Sequence, residues 1–302
     1  MFDIYAAITD RIISELEKGQ IPWQKPWVST VAVKANTRTA MTPDQIRRTA
    51  YSRSTGCPYS LINQIMLGKP GEYMTFKQVQ EAGGKVKKGE KASWVVFWKM
   101  LDVEEENPTT GDKEKRTVPF LRYYNVFHID QTEGVKPRKL TEPKLPEGCD
   151  APKFDPDWEA ERIANDYLTR SGVTLHHVTG DRAFYRPFDD SVTLPRVEQF
   201  RNKAEYYSTK FHELAHSTGH HTRLNRLDKV AAFGSEDYSK EELVAEISSA
   251  AILNHLQMET GSSFRNSAAY VQSWLKALKN DKKMLVSASS KAEKAVAMIL
   301  NI

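Results

Sequence analysis

The chain contains 302 residues, 40% of them hydrophobic, and has a formal net charge of +4. No apolar run reaches the ~20 residues that cross a bilayer, and the first residues do not resemble a signal peptide, so we expect a soluble cytoplasmic protein with no membrane partner. The two cysteines, Cys57 and Cys149, argue against a disulfide framework and against a thiolate zinc site. Any metal ion must then be bound by histidines and carboxylates.

The first part of the chain mixes helical and strand patterns. Isoleucine and leucine at four-residue spacing predict a helix over 3–18, and shorter helices are expected at 60–67 and 75–82. Aromatic and β-branched residues predict strands at 93–98 and 120–127.

Basic residues are concentrated at the front of the chain. Residues 1–101 contain 15 Lys and Arg against 8 Asp and Glu, whereas residues 151–302 contain 20 of each kind. Binding of unpaired nucleic acid requires cations for phosphates and aromatic faces for bases. This composition permits such binding, and the candidate residues are Trp23, Lys25, Trp27, Arg47, Arg48, Arg53, Tyr59, Lys85, Lys87, Lys88 and Lys91.

The tryptophans also allow a second interpretation. Prolines at 22 and 26 prevent residues 21–27 from continuing the first helix, so this segment is an aromatic, cationic loop. Trp23 and Trp27 could stack on bases there, or they could pack as a hydrophobic clamp on that helix. For Trp94 and Trp98 we expect a place in the core.

Five prolines between residues 134 and 156 mark a boundary. We expect an α+β protein of two domains, with residues 1–135 as the first domain, 136–156 as a linker and 157–302 as the second domain. The second domain is predicted to contain a helix at 157–170, strands at 173–178 and 182–187, and three or four amphipathic helices after them.

The strongest motif is His212-Glu213-Leu214-Ala215-His216. Residues four apart lie on one face of a helix, so His212 and His216 can bind a single ion. Glu213 is then placed to take a proton from the water that the ion activates. The pattern predicts one divalent metal ion, zinc or another divalent metal, at a peptidase-type site.

A catalytic zinc ion usually has three protein ligands. We expect Glu242 as the third ligand and Glu246 as an acceptor that orients a ligating histidine, although the two roles could be exchanged. Ser239 and Glu242 also have the spacing of a capping box, which would use the Glu242 carboxylate differently. His220, His221 and Asp237 are the remaining candidates for the third ligand.

Two features close to this helix support a peptidase site. Residues 192–194 read as a strand that ends at Pro195, and such a strand could form the sheet edge to which a peptide substrate adds, although an ordinary hairpin fits equally well. After the helix, Arg223 or Arg226 could pair with acidic residues around the site.

The chain resembles the ArdC-type antirestriction proteins of plasmids and phages. The resemblance rests on 21–27, 59–63, 75–78, 87–91 and 212–220, together with Arg223-Leu224 and 241–247. It implies a first domain that binds single-stranded DNA and a second, zincin-like metallopeptidase domain that acts on an unidentified protein substrate. His128 departs from the family pattern, where Asn is common.

Three functions therefore remain open. The first is an antirestriction factor that binds single-stranded DNA and cleaves a protein. The second is a DNA-binding protein whose metal site is structural or silent. The third is a peptidase whose basic domain docks protein substrates.

Overall fold

The computed structural model describes residues 3–24, 49–106, 113–138, 156–227, 235–258 and 267–302. Within these ranges no helix combines the length and the apolar character that a bilayer crossing requires.

Four strands form the main sheet of the first half. They are β1 (Ala50–Ser52), β2 (Gly71–Met74), β4 (Ser93–Glu106) and β5 (Lys113–His128), and the sheet order is β1-β2-β5-β4. β4 and β5 form a long antiparallel hairpin in which Ser93 pairs with Val126 and Glu106 with Lys113. Strand pairing extends the predicted strands well beyond 93–98 and 120–127, because each strand supplies the other's hydrogen bonds.

Short elements complete this half. The helices are α1 (Ile4–Glu17), α2 (Leu61–Leu67) and α3 (Phe76–Glu81), and a two-stranded ribbon joins β3 (Lys85–Val86) to β6 (Thr132–Glu133). The three helices confirm the predicted positions. Asp3 caps α1, and Thr75 and Gln78 form a reciprocal capping box on α3, so local side-chain bonds fix both starts.

Within the described residues, the second half contains five α-helices and one small sheet. Its helices are α4 (Pro156–Ser171), α5 (Lys203–Ser217), α6 (Glu236–His255), α7 (Ser267–Asn280) and α8 (Met284–Leu300), and its strands are β7 (Thr174–Val178), β8 (Phe184–Arg186) and β9 (Ser191–Pro195). The sheet order is β7-β9-β8. Of the two interpretations of residues 192–194, the sheet edge is wrong, because β9 is the central strand and all five of its residues are buried. The hairpin is confirmed, because β9 pairs antiparallel with β8.

One hydrophobic core joins the two halves. Helix α1 packs on α7, and α2 packs on α8. Trp23 is fully buried and meets Trp274 edge to face, with ring centroids 5.4 Å apart. Thr9 donates to the backbone carbonyl of Lys282 over 2.8 Å. Residues 3–24 are therefore packed with the last helices, although they precede the first sheet in sequence.

The domain boundaries proposed from sequence stay a prediction. Residues 139–155 of the expected linker lie outside the described residues.

Candidate metal centre and nucleic-acid interface

Two helices that pack against each other in the core, α5 and α6, carry the metal-binding candidates. Asn202 caps α5 by accepting from the backbone N–H of Glu205, and the helix continues to Ser217. Ser235 caps α6 by accepting from the backbone N–H of Tyr238. Ser239 therefore lies inside α6, where its hydroxyl bonds to the carbonyl of Ser235. The capping-box interpretation of Glu242 is wrong, and its carboxylate is available to the site.

The side chains of His212, His216 and Glu242 converge at one point. Their ligand atoms all lie within 4.8 Å of one another. The two Nε2 atoms are 3.1 Å apart, and the Glu242 carboxylate lies 3.4 Å from Nε2 of His212 and 3.5 Å from Nε2 of His216. Two imidazoles and one carboxylate are a donor set that zinc and other divalent transition metals accept.

The outward-facing nitrogen of each imidazole has a carboxylate beside it. Nδ1 of His216 lies 3.4 Å from Glu241, whose carboxylate accepts from Arg226 over 2.8 Å and 3.2 Å. Nδ1 of His212 lies 3.9 Å from Glu246. Such carboxylates fix the tautomer and orientation of ligating histidines. The sequence analysis does not identify Glu241. The sequence signal for this residue is the expectation that Arg226 pairs with an acidic residue.

The charges of the cluster are strongly coupled. Burial alone would lower the pKa of His212 and His216. A hydrogen bond to Glu242 outweighs burial for His212, and hydrogen bonds to Glu241 and Glu242 outweigh it for His216, so both imidazole pKa values are raised. Burial would raise the pKa of Glu241 and Glu242, and the hydrogen bonds from the imidazoles hold both below the usual range. The same carboxylates would stabilise the positive charge of a divalent cation, which displaces protons from its ligands.

Glu213 occupies the helix position beside the two histidines and is buried. The other candidates for a third ligand lie outside the convergent group. His220 bonds through Nδ1 to the Thr222 hydroxyl at 2.8 Å, and His221 and Asp237 are exposed.

The segment after α5 is anchored by its arginines. Arg223 pairs with Asp190 at 2.5 Å, and Arg226 pairs with Glu241 at 2.8 Å. The expectation that these arginines pair with acidic residues is confirmed. Because Arg226 also donates to Thr218 and to the carbonyl of Ala215, it ties the end of α5 to α6 beside the candidate metal ligands.

The predicted nucleic-acid residues have different environments. Of the two interpretations of Trp23, hydrophobic packing fits the structure and base stacking does not, because the ring lies fully inside the core and cannot reach a base. Lys25, Trp27, Arg47 and Arg48 lie outside the described residues.

The remaining nucleic-acid candidates lie within the described residues. Arg53 pairs with the buried carboxylate of Glu72, and Tyr59 is half-buried. The four lysines of the turn around β3 are exposed, namely Lys85, Lys87, Lys88 and Lys91. Lys85 pairs with Glu133 at 3.1 Å. These four residues stay candidates for phosphate contacts.

The β4–β5 hairpin exposes aromatic residues that the sequence does not place at the surface. Trp98 is 47% exposed, so its assignment to the core is wrong, whereas Trp94 packs partly buried against the core. Phe120, Tyr123 and Tyr124 are also exposed. Their sequence signal is a strand pattern, which does not reveal that β4 is an edge strand.

Both halves of the chain match known families. Residues 2–127 match the N-terminal domain of the anti-restriction factor ArdC, and residues 162–291 match a zincin-like metallopeptidase domain.

Three relatives extend over nearly all of the chain. Two Escherichia coli proteins named DNA primase TraC are 36% identical over 306 and 312 residues, which cover 96% and 97% of this chain. The chain spans only 19% and 26% of the length of these primases. An uncharacterized protein, y4eC, of Sinorhizobium fredii is 31% identical over 302 residues, which cover 96% of this chain and 89% of that protein.

Two crystal structures of the antirestriction ArdC protein from plasmid R388 have the same fold. The metal-free structure has a TM-score of 0.69 and 33% identity and covers 99% of this chain and 97% of its own. The Mn(II)-bound structure has a TM-score of 0.70 and 31% identity and covers 99% of this chain and 98% of its own. Similarity of this degree over almost the whole of both chains shows that this chain belongs to the ArdC family of antirestriction proteins.

Proposed function

We propose that the chain is an antirestriction factor that binds single-stranded DNA with its first half and hydrolyses a protein with a metal-dependent site in its second half. The observation that carries the peptidase part is the convergence of His212, His216 and Glu242 within 4.8 Å. We place its action in the cytoplasm, where incoming DNA meets restriction enzymes.

The metal is proposed to be a single zinc ion. Two imidazoles and one carboxylate are a ligand set of catalytic zinc sites, whereas structural zinc sites usually have four protein ligands. This count favours a catalytic over a purely structural role. The zincin-like domain and the Mn(II) ion in the R388 relative support a divalent metal, and manganese is the alternative to zinc.

In this proposal each residue has one role. A divalent ion would supply Lewis acidity and acidify a bound water. His212, His216 and Glu242 hold the ion, and Glu241 and Glu246 orient the two imidazoles. Glu213 takes the proton of the attacking water on its carboxylate and then delivers it to the leaving amine of the cleaved peptide.

Single-stranded DNA is the proposed nucleic-acid partner. Support comes from the match of residues 2–127 to the ArdC N-terminal domain and from the similarity to two DNA primases. The exposed lysines at 85, 87, 88 and 91 provide cations for phosphate contacts.

Metal content and antirestriction together test the peptidase part. His212→Ala, His216→Ala and Glu242→Ala should lose most bound zinc by elemental analysis, while Glu213→Gln should keep it. Transfer of DNA into restricting and non-restricting recipient cells then measures protection. Loss of protection in Glu213→Gln supports peptide hydrolysis, and full protection indicates a silent or structural metal site.

DNA binding is tested separately by gel shift with single-stranded and duplex oligonucleotides at several salt concentrations. We expect tighter binding to the single strand and a steep loss of affinity with salt. Absence of binding at low salt would favour the remaining alternative, a peptidase whose basic half docks protein substrates.

A further inference from the structure

A cleft of about 420 Å³ lies where the first half meets the last helix. One wall is formed by the edge strand β4 and by Tyr124 of β5, with Tyr59 beside them, and the opposite wall is formed by Val286, Ser289 and Glu293 of α8. This volume is within the ~300–1,000 Å³ of small-ligand pockets. It is large enough for part of an oligonucleotide.

The wall on the hairpin presents aromatic faces. Phe97 and Tyr124 are stacked, with ring planes 3° apart and centroids at 4.8 Å. Tyr124 is 52% exposed, whereas Trp98 pairs with Leu121 and lies on the opposite face of the hairpin. The Tyr124 ring does not fill the core, so it can receive a flat, unsaturated ligand.

The charge of the cleft lining determines whether a phosphate or an uncharged base of a nucleic acid can enter. None of the described residues lining the cleft is Lys or Arg, and Glu293 contributes a carboxylate. Its Oε1 accepts from the backbone N–H of Leu61 at 2.5 Å, which holds it at the cleft wall. A phosphate would be repelled there, whereas an uncharged base would not.

Cations are placed outside the cleft, along the hairpin. Alternation along β5 puts Phe120, Arg122 and Tyr124 on one face, and Lys99 of β4 is paired with Phe120. The guanidinium of Arg122 lies 6.0 Å from the centre of the Phe120 ring. Both cations are exposed. Aromatic rings interleaved with cations are the arrangement that binds unpaired strands without reading their sequence.

One further polar group lies at the α8 wall. Ser289 is 1% exposed, and its hydroxyl has no hydrogen-bond partner among the described residues. A buried hydroxyl normally has a partner. The Ser289 hydroxyl is therefore an unused hydrogen-bonding group in the cleft lining.

We propose that this cleft binds an unpaired base of single-stranded DNA, stacked on Tyr124, while Arg122 and Lys99, on the same face of the hairpin, contact the adjoining phosphates. The site rests on the proposed function and assigns it a location. Because α8 forms one wall, the second half of the chain takes part in DNA binding. Helix α8 also packs against α6, which carries Glu242.

The test uses the full chain with an oligo-dT strand and with a strand of equal length in which most residues are abasic. Stacking is worth ~1–3 kcal/mol per base, so Tyr124→Ala should weaken oligo-dT binding by about 5- to 150-fold. Tyr124→Phe keeps the ring and should bind normally. The abasic strand should bind weakly to the unchanged protein and should not distinguish it from Tyr124→Ala.

Phe76→Ala is the matched control. Phe76 is 53% exposed and lies in the same half of the chain, but it packs against Phe127, on the other face of β5. It should bind oligo-dT as the unchanged protein does. Arg122→Gln should lower the salt dependence by about one phosphate contact.

The outcomes separate the site from the proposed function. Normal oligo-dT binding by a folded Tyr124→Ala variant, with binding by the unchanged protein intact, would overturn the cleft and leave single-strand binding in place. Equal weakening by Phe76→Ala would also overturn it. No binding of either strand by the unchanged protein would overturn the proposed DNA binding and this site together.

Discussion

Replacing Glu241 by glutamine tests whether residues beyond the three ligands control the metal site. Glu241 lies 3.4 Å from Nδ1 of His216 and accepts two bonds from Arg226. In Glu241→Gln the side-chain amide oxygen can still accept a hydrogen bond, but the negative charge that strengthens His216 as a ligand is lost. We expect metal affinity to fall without loss of the fold.

The size of the effect follows from these contacts. Loss of a carboxylate behind a ligating histidine typically costs ~10–100-fold in metal affinity, or about 1.4–2.8 kcal/mol. Glu241→Ala should also destabilise the fold, because it leaves the buried Arg226 guanidinium without its carboxylate, at a cost of about 3–5 kcal/mol. Bonds of Arg226 to Thr218 and to the carbonyl of Ala215 favour the lower end of that range.

Zinc titration against a competing chelator measures the affinity, and urea unfolding of the metal-free variants measures stability. Asp237→Asn is the matched control, since Asp237 lies near the start of the same helix and is exposed. If Glu241→Gln binds zinc as tightly as Asp237→Asn does, the assignment of Glu241 as the partner of His216 is refuted. If Glu246→Gln alone weakens binding, the orientation of His212 controls the site.

Three further predictions concern the fold. Trp23→Ala should lower the free energy of unfolding by about 3–5 kcal/mol, while the folded fraction binds DNA normally; weaker DNA binding without loss of stability would return Trp23 to the binding surface. Burial would raise the pKa of Asp190, but hydrogen bonds from Arg223 and Tyr185 outweigh it and hold the pKa below its usual value. The stabilisation is therefore present above pH ~4 and lost as the pH falls through the lowered pKa, so acid unfolding curves of Asp190→Asn should lack this component. A fragment of residues 1–135 lacks the helices on which α1 packs. Circular dichroism should therefore show loss of the α1 helix, and gel filtration should show self-association of the fragment. A monomeric fragment with an intact α1 would contradict the shared core.

The convergence of His212 and His216 could be predicted because its signal is local. His212 and His216 lie one helical turn apart, so their spacing alone places them on one face. The assignment of Glu242 also required a prediction of which helix packs against α5. That prediction rested on the usual number of protein ligands of a catalytic zinc ion. Glu241 is adjacent to it in sequence but reaches the site through Arg226, a contact that no spacing rule contains.

The sequence was least informative where it does not show which elements become neighbours. Base stacking and a hydrophobic clamp both fitted Trp23, and burial of its ring beside Trp274, 251 residues later, leaves only the packed interpretation. A sheet edge and a hairpin both fitted residues 192–194, and β9 forms the hairpin with β8 while β7 pairs on its other side. Trp98 was expected in the core because its strand is apolar, but β4 lies at the sheet edge.

The packing of α1 on the last helices has a consequence for synthesis on the ribosome. Thr9 and its hydrogen-bond partner Lys282 are 273 residues apart. At ~5–20 residues per second, the ribosome needs about 14–55 s to reach the partner after α1 has been made. During that interval Ile8, Ile12 and Trp23 are not yet covered by the last two helices. We expect the nascent chain to depend on chaperones in this window, and ribosome-bound chains halted before residue 267 to be captured by holdases through this apolar helix.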